Sequence, residues 1–307
     1  MAVKRGFFWE LRRNGVLFLM LLPTLVFFAI NSYAPMLGIY SAFTRFEFPR
    51  GIFGSPFVGL QNFDFLWKSK ILLKITKNTV LYNVAFIVVG NGLQISCAIL
   101  LTSIANRLWQ RLCQSLMFLP YFVSFVLIGA LAYNLLNYEM GSFNTVLRAL
   151  GAQPVDFYNS PRMWPFIITI AYLWKNLGYG TVIYLAAITG IPGELYEAAE
   201  IDGANVFGQI RHITVPQLVP TMIILFLLSL GQIMRGQFDL FFNLVYNNGT
   251  LFDVTDIIDT YVYRSLKTNF DVGMATAAGL YQSVFGFFII IITNTIIKRR
   301  RPEYALF

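Results

Sequence analysis

Residues 192–216 read PGELYEAAEIDGANVFGQIRHITVP and lie between two long apolar runs, 163–188 and 217–244. Pro192 suits the first position of a helix, where its missing N–H costs nothing. Glu194 and Glu197 follow in the early turns, where negative charge complements the helix dipole. Leu195, Ala198, Ala199 and Ile201 give a small apolar face. Gly203 can take the left-handed conformation and end the helix. A second short helix is expected from about Asn205 to Ile213, with Pro216 stopping it and opening the next apolar run. Two alanines flanked by charge permit close approach by another surface, as a docking peg requires. A membrane-surface loop without a partner fits the same residues equally well.

The composition around this loop belongs to a lipid-facing chain. Of 307 residues, 57% are hydrophobic and 12% charged, whereas soluble domains carry about a quarter charged residues. Phe and Tyr, at 30 and 16 residues, suit lipid-facing and interfacial positions. About 20 apolar residues cross a bilayer as a helix, and six stretches qualify: 16–43, 79–104, 115–136, 163–188, 217–244 and 273–297. The expected fold class is therefore an all-α integral membrane protein of six transmembrane helices. Pro23 and Pro35 should kink the first span. That span is too long for a secretory signal peptide and lacks a convincing cleavage site, so it reads as a retained anchor.

The net charge of +8 lies mostly at the chain ends and in loops. It reads as membrane orientation and contact with anionic headgroups, not as a nucleic-acid surface. Lys and Arg are nearly balanced between the two sets of loops. Lys4, Arg5, Arg12 and Arg13 before the first span, and Lys298 to Arg301 after the last, favour both termini in the cytoplasm. The group from Lys68 to Lys77 reads as a surface-lying amphipathic helix, with Ile71, Leu72 and Ile75 toward lipid. Residues 1–15 are then a cytoplasmic segment, 16–297 the membrane domain with its 190–216 loop, and 298–307 a cytoplasmic tail. The connections 45–78, 137–162 and 245–272 face outward.

Chemistry-bearing clusters are sparse. Cys97 and Cys113, the only cysteines, imply no disulfide framework. His212, the only histidine, reads as a contact or solvated residue of the loop. Asp253, Asp256 and Asp259 are spaced by three in an outer connection. They read as a solvated helix face or a partner contact in preference to a calcium site. There is no GxxxxGK[ST] phosphate loop, so the chain should not bind ATP itself. Polar groups within spans are costly and often functional. Tyr172, Trp174, Lys175 and Asn176, then Gln232, Arg235, Gln237 and Asp239, then Tyr281 and Gln282 are thus candidates for a solute pathway. Structural alternatives stand beside them: Arg235 pairing with Asp239 or a partner helix, and Lys175 snorkelling or lining an aqueous vestibule.

The spacing in the loop resembles a known signature. Glu197, Ala198 and Ala199, then three residues, Gly203, nine residues, and Ile213 and Pro216 resemble the EAA motif of permease subunits of binding-protein-dependent ABC importers, with Val215 where leucine is usual. Asp202, Gly203, Ala204 and Phe207 resemble the carbohydrate-uptake branch. FVGLQNF at 57–63 resembles the family's first outer loop. NSYAPMLGIYSAF at 31–43 and the terminal RRRPEYALF are similar to a subgroup for complex oligosaccharides and polysaccharides. The resemblance implies the type I importer permease fold in a bacterial plasma (inner) membrane. It also implies a second permease subunit, forming a heterodimer, an ATP-binding cassette ATPase dimer that holds ATP and Mg, and an extracellular solute-binding protein. The chain itself would be no enzyme and would carry no cofactor. Glu197, Ala198, Ala199, Asp202, Gly203, Ile213 and Pro216 would couple it to the ATPase. Rival readings are a permease for a non-sugar solute and a self-contained secondary carrier, which often shows an inverted repeat.

Overall fold

The computed structural model describes residues 12–300 and 302–305, together with Trp9. Lys4, Arg5 and Arg301, and the outer parts of the 1–15 and 298–307 segments, lie outside the described residues. The described chain is helical, with one isolated bridge pairing Thr44 and Phe57. α1 spans Gly15–Phe43. Its regular turns give way at Ala29–Tyr33 to a wide turn and then to tight turns over Ala34–Phe43. Pro35 explains the change, because it cannot donate to the carbonyl of the preceding turn.

α2 (Gln61–Lys68) is followed at once by α3 (Ile71–Thr102), the longest helix. Between them Lys70 takes φ +59, so the expected surface helix over Lys68–Lys77 does not form. Ile71, Leu72 and Ile75 belong to α3's first turns. Leu72 and Ile75 are buried against Leu66, Ile258 and Ala278, because α3 begins inside the bundle and not on a lipid surface. Lys68 and Lys74 are paired instead with Asp64 at 2.6 Å and Asp253 at 2.9 Å.

The expected third span, 115–136, is broken. α4 (Arg107–Phe118) and α5 (Phe125–Leu136) meet at 95°. Pro120 stops the first, and the Ser124 hydroxyl accepts from Leu127 N–H to start the second. α6 (Ser142–Ala149) follows in the connection 137–162, tied down by buried Asn144, whose side chain bonds the backbone of Asn137 and Val155. α7 (Trp164–Thr189) agrees with the expected fourth span within a residue or two.

α8 (Gly193–Ile201) leads to α9 (Val206–Leu230). The expected fifth span, 217–244, therefore ends early. Gly231–Gln237 is unwound, and only then does the short α10 (Phe238–Val245) begin. Two glycines and three long polar side chains in seven residues disfavour a helix facing lipid. α11 (Ile258–Lys267) and α12 (Val272–Arg300) complete the chain, the last agreeing with the expected sixth span.

α3 and α7 lie along one another, α12 packs on α1 and α11, and α5 packs on α10. Tyr82, Phe86, Trp164, Ile168 and Phe241 form one buried cluster, and Leu66, Ile75, Ile258 and Ala278 form another. A third cluster, Ala98, Leu101, Tyr184, Leu185, Ile188 and Leu218, lies toward the other end of α3. Many large apolar side chains stay outside, including Leu19, Met20, Phe27, Val88 and Phe166. That is intelligible where the surrounding solvent is hydrocarbon. Among the described residues four helices are long and apolar enough to cross a bilayer, or five if the bent α4–α5 pair is one span. α7 matches them in length at 26 residues but carries Lys175 and Asn176 near its middle.

Candidate functional site

The 192–216 loop forms a projecting peg. Pro192 stands just ahead of α8, not within it. The helix closes on itself: Asp202 N–H donates to Ala198 O, Gly203 N–H to Glu200 O at 3.0 Å, and Ala204 N–H to Ala199 O at 2.8 Å. Gly203 sits at φ +77, the left-handed conformation that a side chain disfavours. The Asn205 side chain then accepts from Gly208 N–H and starts α9.

The expected separate second helix is absent, because α9 runs unbroken through Pro216 to Leu230. The turn Ile210–Thr214 is one residue wider than normal, and Val215 N–H reaches back to Ile210 O. That slack accommodates Pro216, which has no N–H to give. Tyr196 and Thr214 share a hydroxyl–hydroxyl bond of 2.9 Å that fastens α8 to the base of α9. Glu197, Ala198 and Asp202 are exposed, Ala199 and Ile213 half-buried. Ile201 and Phe207 are 87% and 70% exposed. An apolar tip of this kind, carried on a short rigid helix, can enter a cleft in another protein.

A second feature lies within the bundle. A cavity of about 420 Å³ is lined by Asn83, Asn91 and Gln94 of α3, Tyr172, Asn176 and Tyr179 of α7, and Gln232 and Gln237 of the unwound segment. This size falls within the range of about 300–1,000 Å³ usual for small-molecule sites. Tyr172 is held by stacking on Phe86 with ring centroids 3.8 Å apart. Gln94 donates to Asn176 O at 3.3 Å, and Tyr184 donates to Asn91 Oδ1 at 2.7 Å. Amides and phenol rings can hold hydroxyl-rich solutes through hydrogen bonds and ring faces.

Of the residues singled out from sequence, Tyr172, Asn176, Gln232 and Gln237 meet at this cavity; the others do not line it. Trp174 is exposed at 45%. Lys175 is buried, and its ammonium donates to the carbonyls of Tyr121, at 2.9 Å, and Val123. It therefore closes the break between α4 and α5 and neither snorkels nor lines a vestibule. Arg235 and Asp239 are exposed, and Arg235 is not ion-paired with Asp239; its charge acts on Asp259. Tyr281 packs on Phe285. Gln282 donates to Met234 O at 2.7 Å and Asp259 Oδ2 at 3.0 Å. Tyr179 of α7 and, on α3, Asn83, Asn91 and Gln94 were missed by sequence reasoning; the last three were the legible ones. Their spacing of eight and three in an apolar run, one helix face, was the available signal.

The three aspartates spaced by three, Asp253, Asp256 and Asp259, diverge. Asp253 pairs with Lys74. Asp256 is buried and bonded by both Arg264 nitrogens and Thr260, so it is no part of a solvated face. Asp259 accepts from Gly236 N–H at 2.6 Å. Burial raises its carboxyl above the ordinary range, opposed by the bonds from Gly236 and Gln282 and by Arg235. Among the described residues no group of His, Cys, Asp or Glu gathers to hold a metal.

Residues 90–302 match the family described as binding-protein-dependent transport system inner membrane component. The chain is 30% identical over 294 residues to the polygalacturonan/rhamnogalacturonan transport system permease protein YteP of Bacillus subtilis (strain 168), covering 96% of this chain and 91% of the relative. It is 29% identical over 284 residues to the trehalose/maltose transport system permease protein MalF of Thermococcus litoralis, covering 91% of each. A chain of the bacterial alginate ABC transporter, crystallised with an alginate pentasaccharide-bound periplasmic protein, superposes with a TM-score of 0.88 at 29% identity, covering 98% of this chain and all of that one.

Proposed function

This chain belongs to the family of binding-protein-dependent transport system inner membrane components, and from that premise we propose that it is the permease subunit that carries an oligosaccharide across a bacterial inner membrane. The observation that carries the proposal is the placement of the two features on one helix. α9 begins at the exposed peg, and Gln232 at the cavity follows two residues after its last, Leu230. A helix of 25 residues bridges about 37 Å. Movement of the peg can thus be felt at the cavity wall without any ATP site in this chain. In this reading Glu197 anchors the peg in the ATPase by polar contacts, Ala198 and Ala199 pack in its cleft, and Asp202 and Gly203 set the bend. Ile213 and Pro216 fix the angle between peg and α9.

Six spans complete the architecture when α7 and the bent α4–α5 pair are counted. Both termini then face the cytoplasm with the peg. The partners are an ATPase dimer that binds ATP and Mg, a second permease subunit and an extracellular binding protein. The names of YteP and of the alginate transporter support a polysaccharide-derived solute, and a cavity lined by amides and tyrosines is suited to one. Chain co-expressed with its neighbouring permease, ATPase and binding protein should accumulate a labelled alginate- or polygalacturonan-derived oligosaccharide in proteoliposomes only when ATP is supplied. Accumulation driven by an ion gradient without ATP would instead establish the secondary carrier.

The buried ammonium separates structural from solute-contacting residues. Lys175→Met should leave the KM for uptake unchanged while lowering the thermal stability of the purified complex. The expected loss is about 1–3 kcal/mol, the cost of two carbonyls left without a donor. A raised KM at unchanged stability would restore Lys175 to the solute pathway.

A further inference from the structure

The unwound segment Gly231–Gln237 faces a difficulty that a helix avoids. Within a bundle surrounded by lipid its backbone groups need partners, because hydrocarbon offers none. Three side chains from three different helices supply them. Asn83 of α3 donates to Ile233 O at 3.0 Å and Arg235 O at 2.9 Å. Gln282 of α12 donates to Met234 O at 2.7 Å. Asp259, in the first turn of α11, accepts from Gly236 N–H at 2.6 Å and from the same Gln282 at 3.0 Å.

The approach is tight enough to exclude a side chain at 236. A Cβ there would overlap Ile257 Cδ1 and stand 2.9 Å from the Asp259 carboxylate. α11 is itself fixed to α3, since Ile258 N–H donates to Thr79 Oγ1 at 3.0 Å, and it is braced by the Asp256–Arg264 pair at 2.6 Å. The segment carries Gln232 at its start and Gln237 at its end, and both line the cavity.

We infer that Asp259 is the positioning residue of the solute cavity: its carboxylate clamps the Gly236 amide and so sets where Gln232 and Gln237 stand. The inference rests on reading that cavity as the solute pathway, for its effect on transport alone. It gives the outer helix α11 a direct mechanical link to the cavity wall. Asp259 touches no solute. It acts through the backbone it holds, and Gln282 orients it.

The test is made on the complete complex, in a background with Cys97 and Cys113 replaced by serine. Gln237→Cys is labelled with N-ethylmaleimide. Adding Asp259→Ala should raise the labelling rate at least about fivefold, the population change that loss of one buried hydrogen bond produces. Asp259→Asn, which keeps an oxygen for Gly236 N–H, should change it less than about twofold. A probe at Gln94→Cys, on rigid α3, should not respond to either. In the cysteine-containing protein, Asp259→Ala should raise the KM for oligosaccharide uptake by a similar factor.

Unchanged labelling at Gln237→Cys overturns the inference. Changed labelling with an unchanged KM leaves the clamp standing and overturns the cavity's role as pathway. Should Asp259→Ala fail to reach the membrane, Asp259→Glu moves the carboxylate one methylene outward and keeps its charge. Unchanged labelling in that variant overturns the inference equally.

Discussion

Gly203→Pro should abolish uptake while the protein still reaches the membrane in normal amount. The native residue sits at φ +77, whereas proline is locked near −65°. The substitution also removes the N–H that bonds Glu200 O at 3.0 Å. The end of α8 must therefore reorganise, and the exposed tip formed by Ile201 and Phe207 moves with it. Nothing lies within 4 Å of a Cβ built at Gly203, so the damage arises from backbone conformation alone and stays local to the loop. Gly203→Ala separates these effects. It fits the space but is strained by about 1–2 kcal/mol, and it should retain part of the activity. We expect uptake to fall at least about tenfold for proline, the factor set by about 1.4 kcal/mol, and sugar-loaded binding protein to stimulate ATP hydrolysis no longer. Glu197→Lys probes the same contact by charge. Normal uptake by the proline variant would end the coupling role of this loop.

The second large effect is on folding. Gly178→Val should prevent stable assembly of the bundle. A Cβ at Gly178 would overlap the carbonyl of Met117 and approach Phe118 Cα at 2.6 Å. Both are backbone atoms of the α4 end and cannot step aside as a flexible side chain can. α7 must then move off α4, which also pulls Lys175 from the carbonyls of Tyr121 and Val123. Overpacking of this kind costs about 1–3 kcal/mol or more, a large share of the about 5–15 kcal/mol that holds a typical domain. The amount of monodisperse detergent-solubilised protein measures it. Gly92→Ala, where a Cβ meets nothing within 4 Å, is the matched control and should be tolerated. Equal yields of the two variants would show that α7 and α4 are not held at this contact.

The sequence carried the helical class, because apolar runs near 20 residues admit few other structures in lipid. The peg was legible as well. Its glycine, its cap and its early acidic residues are local features, and the backbone obeyed them at Gly203 and Asn205. Less was legible where distant parts meet. Leu72 and Ile75 read as lipid-facing until Leu66 and Ile258 were seen to cover them. The run 217–244 read as one span because apolarity does not reveal where a backbone can unwind. That depends on Asn83, Gln282 and Asp259 arriving from three other helices to satisfy it. Half of the cavity was missed for a related reason. Asn83, Asn91 and Gln94 are dilute in a strongly apolar helix and become a site only when α7 lies alongside.

By itself, the sequence determined what each segment can do alone: form an apolar helix of bilayer length, or bend at Gly203. Those properties follow from side-chain transfer energies and local φ, ψ preferences, which need no partner. The tertiary structure alone decided which polar groups are consumed. It spent Lys175, Gln282 and the three aspartates on holding breaks and corners together, and left Tyr172, Asn176, Gln232 and Gln237 facing open space. The physical reason is that a buried polar group is defined by its nearest partner, and for Lys175, Gln282 and Asp259 those partners lie 23 to 54 residues away.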